Sequence, residues 1–161
     1  MFPDYHYNRL EDIPFGLFKQ NSIKCILIDV DNTLTGDCSF EIKEEVLKWV
    51  EKAKSLGLYL IAISNNSRER VAKFADSIGL EYIFDAKKPL KSRIIENLKN
   101  INFDFKEMAV IGDQIFTDIL LAKRMGAISI LVDPMGKDIP LGVKIKRIFE
   151  KPFRKAKRIF Q

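Results

Sequence analysis

Charged and hydroxyl side chains follow several short apolar segments, and they are residue types that handle phosphate esters. In the stretch CILIDVDNTLTG, Asp29 and Asp31 end an apolar run with one valine between them. Ser64 ends LYLIAIS, Lys88 follows YIF by a few residues, and Asp113 follows MAVIG. Two aspartates this close repel each other unless a cation or another charge compensates. The pair therefore indicates a role in chemistry, because it brings no benefit to folding.

Together these residue types predict metal-assisted chemistry on a phosphate ester. Clustered carboxylates suit a hard cation such as Mg²⁺, which commonly joins carboxylates to a substrate phosphate. A hydroxyl and an ammonium group bind phosphoryl oxygens by hydrogen bonding and by charge. One aspartate can attack phosphorus and form an aspartyl-phosphate. A second carboxylate can protonate the leaving oxygen and later activate water.

The apolar pattern predicts the elements that must position these side chains. The predicted strands are 23–29, 58–63, 82–84, 108–111 and 128–132, and the predicted helices are 40–56, 67–79, 90–100 and 117–126. Gly57, Gly79 and Gly126 fit helix ends, and Ser67 and Thr117 fit helix N-caps. Alternating strands and helices predict an α/β fold, a central parallel sheet of about five strands with helices on both faces. Ligands in such sheets bind at the carboxyl ends of the strands.

Length and composition favour one domain over residues 1–161, with an N-terminal arm at 1–20 that we expect to pack on the surface. No apolar run approaches the length of a membrane span, and no basic-then-apolar leader is present, so we expect a cytoplasmic protein. Cys25, Cys38 and His6 lack the spacing of metal ligands, which makes a zinc site or a disulfide framework an unfavoured interpretation.

Basic character is concentrated in a tail, residues 143–161. This tail has eight basic residues and one acid, a net charge of +7, whereas the first 142 residues carry −2. Apolar residues recur at helical spacing at positions 145, 148, 149, 153, 156, 159 and 160. Pro152 is expected to break or kink a continuous helix. Three interpretations are open: the apolar stripe packs on the domain, it docks on an anionic membrane surface as a peripheral membrane anchor, or the tail binds nucleic acid.

The motifs resemble those of phosphatases of the haloacid-dehalogenase (HAD) superfamily. The first motif of that family, D-x-D-x-T, matches residues 29–33, and its second matches the serine of IAISNN. The third matches the second lysine of KKP, and the fourth matches GDQIFTD. GDQxxTD and the arm PDYHYNRLEDI are also similar to the YqeG-like branch of class IIIA, which includes phosphatidylglycerophosphate phosphatases. The resemblance implies a Rossmann-like HAD fold without a cap domain. Asp37 and Cys38 follow the first motif in a short loop, which we expect to be an exposed flap.

The resemblance also implies roles for the acidic residues. Asp29 would be the nucleophile and a Mg²⁺ ligand. Asp31 would be the general acid and base, and its backbone carbonyl would be a second metal ligand. Asp113 would be a further ligand of the same Mg²⁺ ion, which is the cofactor that the resemblance implies.

Four further residues have implied supporting roles. Ser64 and Lys88 would bind the transferring phosphoryl group. Thr33 would hold the loop and orient Asp31. Asp118 would act on the site directly, through water or through Lys88.

These inferences predict a Mg²⁺-dependent phosphomonoester hydrolase that acts through an aspartyl-phosphate. Phosphatidylglycerophosphate, a phosphate on a lipid headgroup, is one candidate substrate, and a soluble sugar phosphate or nucleotide is the alternative. The rival from another class is a non-catalytic HAD-fold binding module whose basic tail docks nucleic acid. An uncapped site can also depend on a neighbouring subunit for closure, which makes a homo-oligomer a further expectation.

Overall fold

The computed structural model describes residues 2–36, 39–136 and 141–154, and a six-stranded sheet runs through its centre. All the paired strands are parallel. The strands are β1 Tyr5–Tyr7, β2 Cys25–Asp29, β3 Tyr59–Ile63, β4 Glu81–Ile83, β5 Met108–Gly112 and β6 Ile128–Val132. The prediction of a parallel α/β sheet is confirmed, with one strand more than the five expected.

The strand order is β1-β6-β5-β2-β3-β4, which places β2 near the middle of the sheet. The chain runs outward from β2 through β3 to β4, and then crosses to β5 on the other side of β2. The order therefore reverses between β2 and β5, where Ile28 pairs with Ile111. Parallel sheets bind ligands at such a switch point, just beyond the carboxyl ends of the strands.

Helices cover both faces of the sheet, as predicted. The α-helices are α1 Phe15–Gln20, α2 Glu44–Ser55, α3 Arg68–Ser77, α4 Ser92–Asn97, α5 Leu120–Met125 and α6 Leu141–Arg154. Alternate residues of β2 point to opposite faces. Ile26 and Ile28 belong to the core cluster under α1, α2 and α3, together with Trp49. Leu27 belongs to the cluster under α4 and α5, together with Ile94.

Glycines stand at the helix ends where the sequence places them. Gly126 is the C-cap of α5 with a φ of 77°, and Gly57 and Gly79 directly follow the C-cap residues of α2 and α3. Ser67 occupies the N-cap position of α3. The N-cap prediction for Thr117 is wrong, because this residue lies inside a π-helix, Ile115–Ile119, that precedes α5.

The N-terminal arm is part of the sheet and of the core, so the prediction that residues 1–20 pack on the surface is wrong. β1 extends the sheet beside β6, and the Asp4 carboxylate accepts hydrogen bonds from the backbone N–H and the hydroxyl of Ser129, at 2.9 and 2.7 Å. Leu10, Ile13 and Phe18 are each only 1% exposed. A three-residue strand is too short to show an alternating pattern, which is why the sequence does not reveal it.

The described part of the basic tail, residues 143–154, lies in α6, which begins at Leu141. This helix continues through Pro152 to Arg154, so the expected break is not observed. Ile145, Ile148 and Phe149 are 49%, 61% and 66% exposed, which contradicts the interpretation that they pack on the domain. Residues 155–161, and Asp37 and Cys38 of the expected flap, lie outside the described residues.

No cap domain interrupts the described residues before Lys88, which agrees with the predicted fold class. Among the described residues, the carboxyl edge of the sheet is bordered by short loops, by the first turn of α3 and by the C-terminal half of α6.

Candidate active site

The carboxyl edge of the sheet brings the predicted residues together from four separate segments. Asp29 is the last residue of β2, and Ser64 directly follows β3. Asp113 directly follows β5, and Lys88 lies five residues after the end of β4. All four side chains are buried. Because neighbouring parallel strands end at the same edge, residues far apart in sequence share one small volume.

Lys88 lies between two carboxylates of this group of side chains. Its Nζ atom lies 2.7 Å from Oδ1 of Asp118 and also contacts Oδ1 of Asp29. The side chains of Lys88 and Asp118 are only 3% and 0% exposed. An ammonium group buried this deeply needs carboxylate partners. Two carboxylates, one at the end of β2 and one in the π-helix, therefore fix the position of the lysine.

Burial and neighbouring charge perturb the ionisation of Asp29. Burial raises the pKa of Asp29 well above its usual range, the nearby Lys88 ammonium opposes this shift, and the charges of Asp118 and Asp113 add to it. Burial by itself lowers the pKa of Lys88, but the carboxylates of Asp118 and Asp29 outweigh it and leave this pKa above its usual value. Lys88 therefore stays charged, and another cation beside Asp29 would favour the ionised carboxylate.

The loop after β2 wraps tightly around the first aspartate. The backbone carbonyl of Val30 accepts hydrogen bonds from the N–H groups of Thr33, Leu34 and Thr35, at 3.0 to 3.4 Å. The Thr33 hydroxyl donates to Oδ2 of Asp29 at 3.3 Å. Thr33 was expected to orient Asp31, but its observed partner is the carboxylate of Asp29.

The side chain of Asp31 lies apart from the buried group and contacts the start of α3. Its Oδ1 atom accepts a hydrogen bond from Arg70, and its Oδ2 atom accepts one from the side chain of Asn66 at 2.6 Å. Neither Arg70 nor Asn66 was among the predicted site residues. The second aspartate of the motif therefore faces the open side of the edge.

Asn65 fixes the backbone on which Lys88 sits. Its side-chain amide accepts a hydrogen bond from the backbone N–H of Lys88 at 2.8 Å and donates one to the carbonyl of the same residue at 3.1 Å. The Ser64 hydroxyl accepts a hydrogen bond from the backbone N–H of Asn66 at 3.1 Å. The two asparagines after Ser64 thus support the lysine and the second aspartate, a role that the sequence did not reveal.

Gly112 makes room for Asp118. A Cβ atom built on Gly112 would lie 2.3 Å from Cγ and 2.4 Å from Oδ2 of Asp118, closer than real Cβ contacts allow. The π-helix turns Asp118 back toward the strand end, where its Oδ2 atom accepts the backbone N–H of Gln114 at 3.2 Å. The absence of a side chain at position 112 is therefore a requirement of the site.

We expect Gly112→Ala to displace Asp118 and thereby disturb Lys88. The clash should lower the free energy of unfolding by about 1–3 kcal/mol, and it should also lower phosphatase activity. Denaturant unfolding and steady-state kinetics measure the two effects. Gly16→Ala is the matched control, because its added Cβ atom meets nothing within 4 Å. Equal stability and activity of the two variants would contradict the steric account.

Helix α6 is tied to the loop that carries Asp113. Oε1 of the buried Glu150 accepts the backbone N–H of Phe116 at 3.2 Å. The Arg154 guanidinium donates to the backbone carbonyl of Asp113 and lies 3.3 Å from Oδ1 of Asp133. The C-terminal half of α6 therefore helps to hold the loop after β5.

Three carboxylates at this edge have the composition of a cation site. Oxygen atoms of Asp29, Asp113 and Asp118 lie within 4.8 Å of one another, and all three residues are buried. Hard divalent cations prefer oxygen donors of this kind, and a cation would relieve the repulsion that these carboxylates exert on one another. The donor set fits Mg²⁺. The Asp31 carboxylate, which faces Arg70, is not part of this cluster.

Comparisons with known proteins agree with the motifs. A family model described as mitochondrial PGP phosphatase matches residues 1–135. The chain is 31% identical over 133 residues to "Probable phosphatase YqeG" of Bacillus subtilis (strain 168), an alignment that covers 83% of this chain and 77% of that protein.

Two further similarities are more distant. The chain is 25% identical over 146 residues to "Phosphatidylglycerophosphate phosphatase 1, chloroplastic/mitochondrial" of Arabidopsis thaliana, and it spans only 42% of that protein's length while 85% of this chain is covered. The solved structure of a putative HAD superfamily (subfamily III A) hydrolase from Legionella pneumophila superimposes with a TM-score of 0.51 at 18% identity, over 62% of this chain and 60% of that one. This last likeness shows the fold.

The predicted family is confirmed, because the family model matches residues 1–135, the part of the chain that carries all four motifs. The chain belongs to the family described as mitochondrial PGP phosphatase and is a relative of the phosphatase YqeG, and its fold is that of HAD superfamily hydrolases.

Proposed function

We propose that this protein is a Mg²⁺-dependent phosphomonoester hydrolase that acts through an aspartyl-phosphate on Asp29. The observation that carries the proposal is the buried contact of Lys88 with Asp29 and Asp118 beside a third carboxylate, Asp113. This arrangement holds a carboxylate nucleophile, a fixed positive charge for phosphoryl oxygens and donors for a cation at one strand edge. A non-catalytic binding module has no need of such a group.

The reaction would proceed in two displacements. An Oδ atom of Asp29 attacks phosphorus, the bond to the leaving oxygen breaks, and Asp31 gives that oxygen a proton. Water then attacks the phosphorus of the aspartyl-phosphate, Asp31 takes a proton from it, and inorganic phosphate leaves with Asp29 restored. Lys88 and Ser64 would bind the phosphoryl oxygens throughout. In both proton transfers Asp31 would act from the open side of the site, which its side chain faces.

Asp29 and Asp113 would hold Mg²⁺ with their side chains, Asp31 would contribute its backbone carbonyl, and Asp118 lies close enough to join them or to act through Lys88. When bound, the cation would supply positive charge to the phosphate. The role of this chain is to keep the carboxylates in place, which Gly112, Gln114 and Arg154 do through the contacts described above.

We expect Asp113→Ala to raise the Mg²⁺ concentration needed for half-maximal activity by about tenfold or more, since one charged ligand of a hard cation is lost. Titrating activity with Mg²⁺ measures this change. Asp76→Ala is the control, because Asp76 is exposed on α3 and should leave the metal requirement unchanged. An unaltered Mg²⁺ dependence in Asp113→Ala would remove Asp113 from the proposed ligands.

For the substrate, we propose a phosphate on a lipid headgroup, with phosphatidylglycerophosphate as the specific candidate. The name of the Arabidopsis relative supports this choice. The open edge of the sheet supports it too, because an uncapped site admits a bulky leaving group. A soluble sugar phosphate or nucleotide remains the alternative, and comparing rates on the two classes decides between them.

Exposed apolar residues on α6 support a docking site for the membrane that holds such a lipid. Ile145, Ile148 and Phe149 are exposed on the helix whose last turn, through Arg154, contacts the Asp113 loop. The same helix is rich in lysine and arginine, a composition that favours anionic lipid surfaces. Within the described residues, no helix combines the length and the apolar composition that crossing a membrane requires. We therefore propose peripheral contact.

We expect the double variant Ile148→Glu/Phe149→Glu to lower activity on phosphatidylglycerophosphate in anionic vesicles by about tenfold or more, since two inserted apolar groups are lost and two repelled charges gained. Its activity on an aryl phosphate in solution should stay near that of the unaltered protein. Vesicle and solution assays run side by side measure both.

Leu56→Glu is the matched control, because Leu56 is 52% exposed at the C-terminal end of α2, on the opposite edge of the sheet. Point changes are preferable to deletion of the tail, since deletion would also remove Glu150 and Arg154 from the Asp113 loop. Parallel losses in vesicles and in solution would show that α6 has only a structural role. A preference for soluble metabolites over the lipid would refute the substrate proposal and leave the phosphatase proposal standing.

A further inference from the structure

A group of cationic side chains borders the open side of the site, and the proposed reaction makes no use of it. Arg70 and Lys73, one turn apart on α3, both contact the ring of Phe40, at 5.2 and 4.7 Å from the ring centroid. Phe40 is 47% exposed and follows the loop that carries Asp31. The three side chains form a small basic and aromatic patch, which we call the α3 patch.

A second pair of cations extends this basic surface. Arg68 and Arg93 lie on the ring of Phe84, at 5.9 and 5.5 Å from its centroid. Within residues 2–36, 39–136 and 141–154, neither Arg68 nor Lys73 forms an ion pair with a carboxylate, so the start of α3 carries an excess of positive charge. Anions are attracted to such a surface.

The α3 patch lies on the side of the site from which the leaving group departs. Arg70 donates to Oδ1 of Asp31, the residue to which the proposed reaction assigns the protonation of the leaving oxygen. A leaving group that contacts Asp31 therefore extends toward Arg70. The Arg70 side chain is 17% exposed, so it is accessible from the open edge. Its planar guanidinium group matches the oxygens of a phosphate better than a lysine does.

We propose that Arg70 and Lys73, supported by Phe40, form a subsite for a second anionic group, a phosphodiester, carried by the leaving group of the substrate. This proposal rests on the proposed function and narrows its substrate class to phosphomonoesters with a negative charge a few bonds beyond the scissile oxygen. The headgroup of a phospholipid and a soluble diester both carry this negative charge, and the subsite would bind it in either one.

The test compares two soluble substrates that differ in the charge at the second phosphorus. One is the deacylated headgroup, glycerophosphoglycerol phosphate, and the other is its methyl phosphotriester, which has the same length and no charge at the second phosphorus. The measured quantity is the ratio of their kcat/KM values. A ratio cancels any change in the position of Asp31, because such a change affects both substrates alike.

In the unaltered protein the charged substrate should be preferred. Arg70→Gln should lower the ratio about tenfold to a hundredfold, since a hydrogen bond to a charged group is lost. Lys73→Gln, which does not contact Asp31, should lower it about two- to fivefold. The ratio for Arg70→Lys should lie between the ratios for Arg70→Gln and Lys73→Gln. Lys48→Gln, which removes a charge that pairs with Glu44 on α2, should leave the ratio unchanged.

An unchanged ratio in Arg70→Gln would overturn the proposal, whatever happens to the absolute rates, and would leave Arg70 as a residue that only positions Asp31. Equal kcat/KM values for the two substrates in the unaltered protein would overturn it as well. Both outcomes are distinct from failure of the proposed function, because in that case an aryl phosphate with Mg²⁺ would not be hydrolysed either. Vesicles of phosphatidylglycerophosphate, assayed with the same variants, tell whether the lipid uses the subsite.

Discussion

Replacing Asp29 with asparagine should abolish phosphomonoester hydrolysis, with a loss in kcat on the order of 10⁴-fold or more. The amide is a poor nucleophile toward phosphorus and a poor ligand for Mg²⁺, so a single change removes two proposed functions. The effect should not come from unfolding, because asparagine has nearly the same shape, its amide oxygen can still accept the hydrogen bond from Lys88, and its NH2 group can donate to the Thr33 hydroxyl. Hydrolysis of an aryl phosphate in excess Mg²⁺ measures the loss.

The control for this prediction is the folded state of the variant. Denaturant unfolding of Asp29→Asn should give a free energy near that of the unaltered protein, since asparagine matches the shape of Asp29 and Asp118 still pairs with the buried Lys88. Asp76→Asn, an exposed change on α3, should retain full activity. Near-normal hydrolysis by Asp29→Asn would show that another group attacks phosphorus.

Replacing Asp31 with asparagine should lower the rate by about a hundredfold to ten-thousandfold, since a general acid and base is lost. The loss should be largest for alkyl phosphates, whose leaving oxygens need a proton. It should be smaller for aryl phosphates, whose leaving groups depart without one. Parallel kinetics on an alkyl and an aryl phosphate measure the difference.

The Asp31 variant retains hydrogen-bonding groups toward Asn66 and Arg70, which limits structural disturbance. Thr33→Ser is a useful comparison, because it preserves a hydroxyl next to Asp29 and should change alkyl and aryl rates alike. Losses of equal size on both substrate types in Asp31→Asn would count against proton transfer by this residue.

Much of the site could be predicted because its residues stand directly at the ends of buried strands. An all-apolar run such as that of β2 marks a strand covered on both faces, and the residue after it must lie at the carboxyl edge. This reasoning locates Asp29, Ser64 and Asp113 without knowledge of their contacts. Lys88 follows the end of a strand by a few residues, whereas Asp118 is implied only by the resemblance to the HAD motifs, and the structure brings both into one ion pair.

The remainder depends on tertiary contacts that leave no local pattern. In the sequence Asn66 is typical of a turn and Arg70 of the start of a helix, and only the fold brings them to Asp31. In the sequence Gly112 indicates only the end of a strand. Its role is to leave space for the Asp118 side chain.

The two ends of the chain show the same limit. β1 has only three residues, too few for a period of two to be visible, and it depends on pairing with β6. In α6, the apolar stripe correctly indicates a helix but does not tell which of its residues are covered. Phe153 packs on Phe116, whereas Phe149 stays exposed.

The central claim is that Asp29 becomes phosphorylated during turnover, and trapping that species tests it most directly. Asp31→Asn should slow hydrolysis of the aspartyl-phosphate more than its formation from an aryl phosphate. Acid quenching during turnover, followed by mass spectrometry of the peptide that contains residues 25–36, locates the phosphoryl group. We predict a phosphorylated Asp29 that disappears in the Asp29→Asn/Asp31→Asn double variant. A phosphoryl group on another residue, or its persistence in the double variant, would contradict the account.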